Sequence, residues 1–163
     1  MRKHEVAHAS HTEALLESLL LAPLLVGDLQ TSISFDRSLL ASEYSGAVLN
    51  YQQKLGHLYE DALSFLLEHS DVELTAKGVQ IFNEKRITQG ELDYLLQVGE
   101  STVHLELAVK FYLIHEQDGK ITFPGPDPRD NWDSKLNRLE SHQLGMAQSE
   151  YGGKLLLEKY GVS

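Results

Sequence analysis

The sequence contains no cysteine. That removes disulfides, thiolate nucleophiles and cysteine-based zinc sites, and it agrees with a reducing compartment. A long apolar run is also missing. The nearest stretch, "LLESLLLAPLLVGDL", is interrupted by Glu17, Pro23 and Asp28, short of the roughly 18 uninterrupted apolar residues of a membrane span, so no membrane partner is expected. No apolar segment follows the opening "MRKHEVAHASH" before Glu13, so a secretory signal is not expected and the chain is assigned to the cytoplasm. Basic residues are scarce, with 14 Lys and Arg against 24 Asp and Glu. The net charge of −10 speaks against a general basic surface for nucleic acid, although a local basic groove is compatible with it. Carboxylates that hold a divalent cation would count toward the same total.

What is present, at 163 residues with 42% hydrophobic and 23% charged, suits one globular domain with one core. Residues 1–12 read as a mobile polar terminus and 13–163 as the domain: helical over 13–70, sheet over 72–115, loop and helix over 116–145, and a tail over 146–163. "HTEALLESLLLAPLL" predicts a helix starting near His11 or Thr12 and stopped by Pro23. "DRSLLASEYSGAVLNYQQKLGHLYEDALSFLLEHS" predicts one or two helices. In its second half Leu55, Leu58, Ala62, Leu63, Phe65 and Leu66 form one broad stripe with Glu60 beside it.

From Val72 the period becomes two. "VELTAKGVQIF", "GELDYLLQV" and "TVHLELAVKFYLI" predict three strands, the last with Val103, Leu105, Leu107, Val109, Phe111 and Leu113 on one fully buried face. "HEQDGKITFPGPDPRDN" is rich in turn signals. Asp130 is then a plausible N-cap for a helix "NWDSKLNRLESHQL" ending at Gly145, with Trp132, Leu136, Leu139 and Gln143 on one stripe. The tail "GGKLLLEKYGVS" reads equally as a short strand or the start of a helix.

Gly99-Glu100 fits the Gly-X loop of a two-residue hairpin, and that loop places Asp93 opposite Glu106 and Glu91 opposite Ala108. His104, Lys110 and Tyr112 share their face. Like charges directly opposite on a sheet are destabilising, by roughly the 0.2–1 kcal/mol of a cross-strand pair and by more when desolvated. Two readings account for them. Either the face is solvated and its charges form weak surface pairs, or a hard divalent cation, with oxygen ligands, offsets the repulsion. In the second reading Lys110 would orient water or neutralise a developing charge.

The series "KLGHLYEDALSFLLEH", "GELDYLL", "HLELAVKFYL" and "PGPDPRDNWDSKLNRLESHQL" resembles an uncharacterised bacterial domain family whose core is similar to the PD-(D/E)XK, restriction-endonuclease-like nucleases. The likeness runs from about Leu20 to Leu144. It implies an α+β fold, an α/β sandwich with helices packed on a mixed sheet around a central β-hairpin. It also implies Mg²⁺, with Mn²⁺ as a substitute, held by Asp93 as principal ligand and by Glu106 and Glu60. Lys110 would be the catalytic lysine, with Gln143 and Lys135 on the flanking helix toward substrate phosphate, and Arg138 and His142, near one face of that helix with Lys135, would help substrate approach. The sequence departs from the Glu-x-Lys spacing of the superfamily. Ala108 occupies the usual acid position, and Glu106 stands four residues before the lysine, on the same face of a continuous strand. No last core strand is visible after "HQL", as in a short or truncated member.

The function implied is Mg²⁺-dependent phosphodiester hydrolysis of DNA or RNA. The alternative is a nuclease-fold module without chemistry that binds nucleic acid or a protein. An unpaired hairpin edge and a missing strand would also suit a homodimer. Two zinc readings compete. "HEVAH", His4 to His8, matches the pattern of two histidines one turn apart with a glutamate base; and His104 with Glu106, joined by His57 or His142, would form a His/carboxylate set.

Overall fold

Period-two patterning becomes a three-stranded antiparallel sheet, β1 (Glu73–Phe82), β2 (Thr88–Val98) and β3 (Ser101–Leu105), in the order β1-β2-β3. The structure is a computed structural model that describes residues 2–24, 26, 29, 32–42, 46–110, 112–125, 127 and 131–162, with side chains from residue 11 onward. The β2–β3 pairing runs from Tyr94 opposite Leu105 to Val98 opposite Ser101, the register the Gly99-Glu100 loop predicts. Gly99 has φ +60°, which glycine adopts at no steric cost at the first loop position.

Helix α1 (Arg2–Leu21) begins well before Thr12. Its Leu16, together with Leu63, Leu66 and Leu67 of α2 (Leu55–Glu68) and Tyr94 and Leu96 of β2, forms the core on one face of the sheet. The sheet carries a second core. The tail forms helix α4 (Glu150–Tyr160), whose Leu156 packs with Met146 and with Val79, Ile81, Leu92 and Leu95. Leu95 and Leu96 are neighbours that point to opposite faces, and each belongs to a different core. The Ser149 side chain accepts from the Gly152 N–H and starts α4 at the point where the sequence left strand and helix open. Ser149→Ala is expected to cost about 1 kcal/mol, read as a lower urea midpoint with an unchanged slope.

Several expectations are corrected. The third strand ends at Leu105 instead of Leu113, and Leu113 and Ile114 are exposed, so no fully buried face continues there. A second hairpin follows, β4 (His115–Gln117) and β5 (Lys120–Thr122), turning at Asp118-Gly119 with φ of 52° and 73°, the type I′ pattern. Both sheets among the described residues are antiparallel, where a mixed sheet was expected. Of the one or two helices expected between Asp36 and Ser70, α2 forms, and before Tyr51 the described residues hold a 3₁₀ turn, Arg37–Leu39, where the Asp36 carboxylate captures Ser38 through its N–H and hydroxyl and closes a local turn. The late helix is α3 (Trp132–Arg138) followed by a π-helical turn, Leu139–Gln143. Asn131, whose side chain accepts from the Ser134 N–H, caps it; the expected cap, Asp130, lies outside the described residues. No helix among the described residues is long and apolar enough to cross a membrane.

Candidate functional site

The acidic residues of the hairpin meet where β3 stops. The Leu107 N–H donates to Asp93 Oδ2 at 2.9 Å, and the Asp93 N–H approaches Glu106 Oε1 at 3.5 Å, the outer limit of a hydrogen bond. Each carboxylate thus takes a main-chain donor from across the hairpin, and the ladder ends at this point. Glu106 has two further partners: His104 Nε2 at 2.6 Å on Oε1 and Gln143 Nε2 at 3.2 Å on Oε2. The side chains of His104 and Glu106 are only 8% and 4% exposed, which rules out the solvated reading of this part of the face.

Burial pushes the Asp93 carboxyl up to about 6, the negative charge of Glu106 adds to this, the Leu107 N–H opposes it, and the charges of Glu60 and Glu91 raise it further. No cation is among the groups that move it. Glu60 is half-buried on α2, and its Oε2 lies 3.2 Å from His57 Nδ1. Its main-chain carbonyl accepts from the buried Tyr94 hydroxyl at 2.8 Å and from Ser64 Oγ at 2.7 Å, which fixes this turn of α2 against β2. Tyr94 reads in the sequence as part of the apolar side, and the signal for its second task is tyrosine where phenylalanine would fill the same core position. Burial also raises its phenol well above the usual value.

Asp93, Glu106 and Gln143 are therefore brought together, with Glu60 close enough for its charge to be felt. Lys110 is exposed and lies beyond the end of β3, so strand parity no longer fixes the side to which it points. Lys135 and Arg138 lie three apart on α3, the former half-buried and the latter exposed. Tyr112 meets Trp132 edge-on at 5.6 Å and ties the chain beyond Lys110 to the start of α3. Among the described residues no three His, Cys, Asp or Glu side chains gather as a metal-holding group. Neither His57 nor the exposed His142 joins His104 and Glu106 in such a group, so the zinc set built on them does not form, and Glu60 likewise does not join Asp93 and Glu106 as a third ligand. The "HEVAH" stretch is helical in α1, and its side chains lie outside the described part.

The model of a family described as "Domain of unknown function (DUF1853)" matches residues 4–161. The chain belongs to this family. No curated protein and no solved structure matches it. The match takes in every residue of the site in this DUF1853 chain, from Glu60 to Gln143.

Proposed function

We propose that this DUF1853 protein is a Mg²⁺-dependent phosphodiesterase acting on DNA or RNA, with its site on the β2–β3 hairpin and a core of the restriction-endonuclease-like kind. The observation that carries the reading is the pair of half-buried Asp93 and buried Glu106, which share one end of the hairpin while only negative charges act on Asp93. Such a pair fits Mg²⁺, which is commonly held by one or two carboxylates with water and phosphate oxygens completing its shell. Asp93 and Glu106 would hold the ion, and Glu60 would stand behind them. When bound, a divalent cation activates water and stabilises charge on the phosphate. The order of helix, three-stranded antiparallel meander and helix agrees with the same reading.

The chain's own residues contribute binding and orientation. Lys135 and Arg138 would meet substrate phosphates from α3. Tyr94 keeps α2, and with it Glu60, at a fixed distance from β2. Hydrolysis breaks one P–O ester bond and adds water across it, and Lys110 is the remaining candidate to neutralise the charge that develops. The second reading, a binding module without chemistry, is favoured by the exposure of Lys110 and by the full set of protein donors on Glu106.

Incubation of the purified protein with single- and double-stranded DNA and RNA under Mg²⁺ or Mn²⁺ separates the two. Metal-dependent cleavage that falls at least about 100-fold in Asp93→Ala is expected, because even the outer partners of metal ligands cost about 10–100-fold. Cleavage that also falls in Lys110→Ala would give the lysine its role. Metal binding with no cleavage of any substrate would select the binding module.

A further inference from the structure

Glu106 is the most heavily bonded side chain of the site, and its partners come from two different elements. His104 shares its strand face two residues earlier, and Gln143 arrives from the far side of the chain at the end of the π-helical turn. That turn has the wide geometry, with the Leu144 N–H reaching the Leu139 carbonyl at 3.0 Å. Single π-turns are frequent at functional sites, and here the side chain at its end reaches Glu106.

We propose that His104 and Gln143 are positioning residues that hold the Glu106 carboxylate from both sides, an inference that rests on the cation site read above. The carboxylate accepts on Oε1 from His104 and on Oε2 from Gln143. His104 therefore carries its proton on Nε2. A carboxylate oxygen offers two acceptor positions; Oε1 meets both His104 and the Asp93 N–H, and Oε2, which accepts from Gln143, keeps capacity for a cation. Outer hydrogen bonds of this kind fix the orientation of a ligand before the ion arrives. Gln143 accordingly acts through Glu106, and its contact with substrate phosphate, expected from the sequence, gives way to this role.

The test uses His104→Phe, which keeps a ring and removes both nitrogens, His104→Gln, which restores an amide N–H near the Nε2 position, and Gln143→Leu. Mn²⁺ affinity is read from the midpoint of its effect on thermal unfolding and from water-proton relaxation. An affinity about tenfold or more weaker is expected in His104→Phe and Gln143→Leu, with recovery in His104→Gln and an unchanged KM for nucleic acid at saturating Mn²⁺. Equal Mn²⁺ affinity in wild type, His104→Phe and Gln143→Leu would overturn the proposal. So would a raised KM with unchanged Mn²⁺ affinity in Gln143→Leu, which would return that residue to substrate binding.

The metal-free wild type supplies an independent readout. Its imidazole ¹⁵N spectrum should show His104 protonated at Nε2, with that proton shielded from exchange. An Nε2 without a proton would overturn the proposal. A wild-type protein that binds no Mn²⁺ would refute the cation site, and the Nε2 proton would then still decide whether His104 holds Glu106.

Discussion

Asp93→Asn is expected to raise the stability of the metal-free protein at neutral pH. The folded protein holds the Asp93 carboxyl at about 6 against an ordinary 3.8, so between these values the folded state binds more protons than the unfolded chain. The contribution of this group to stability is fully present below about pH 4 and is lost as pH rises through about 6. Above that, an ionised, half-buried carboxylate faces Glu106, Glu60 and Glu91. Asparagine removes the charge and keeps an oxygen for the Leu107 N–H. The change in proton affinity is worth about 3 kcal/mol at face value, and solvent access to the carboxylate reduces the expected gain to about 1 kcal/mol. For a chain of this size that is a rise of about 2–4 °C in Tm. Melts in a chelating buffer at pH 7.5 should show it, and the two proteins should converge at pH 4. A variant less stable than wild type at pH 7.5 without metal would mean that the Leu107 bond, and not the repulsion, dominates at Asp93.

The largest structural effect is expected at Gly152. This residue is buried in the first turn of α4, and a Cβ there would overlap the main-chain carbonyl oxygen of Met146 and sit 2.9 Å from Ser149 Oγ. A main-chain atom cannot rotate away as a side chain can, so Gly152→Ala must move α4 or the 144–149 turn. Alanine is otherwise the better helix residue by about 1 kcal/mol, and that gain is outweighed. A net loss of about 3 kcal/mol, the upper end for overpacking, is expected, or about 6–12 °C in Tm. Gly90→Ala provides the contrast: its Cβ would come within 2.6 Å of Met146 Cε, the free end of a flexible side chain, and a cost under about 1 kcal/mol is expected. If both alanine variants melted alike, Met146 and its main chain would not be the rigid seat on which α4 docks.

Much of the site was legible because it hangs on a turn. Gly99-Glu100 sets the register of β2 and β3, and the register puts Asp93 at the level of Glu106. Gln143 stood out as an amide on an apolar stripe, and it does reach the hairpin. The extent of β3 was not legible. Apolar alternation continues in the sequence to Leu113, but the Leu107 N–H is taken by the Asp93 carboxylate, and a side chain that competes for a main-chain donor leaves no mark on periodicity. This in turn undoes the placement of Lys110, which depended on an unbroken strand. Helix α4 was hidden for a different reason. Gly152 and Gly153 lower the helix signal at its start, and the need for Gly152 appears only once Met146 lies against it.

The central claim is that Asp93 and Glu106 form a divalent-cation site, and its most direct test is the thermal midpoint of wild type and Asp93→Asn at pH 7.5, each with chelator and with excess Mg²⁺. The account predicts a crossing. Without metal the variant melts higher; with Mg²⁺ at about ten times its Kd the wild type gains about 1.4 kcal/mol and the variant gains nothing. No response of the wild type to Mg²⁺, or an equal rise in both proteins, would contradict it.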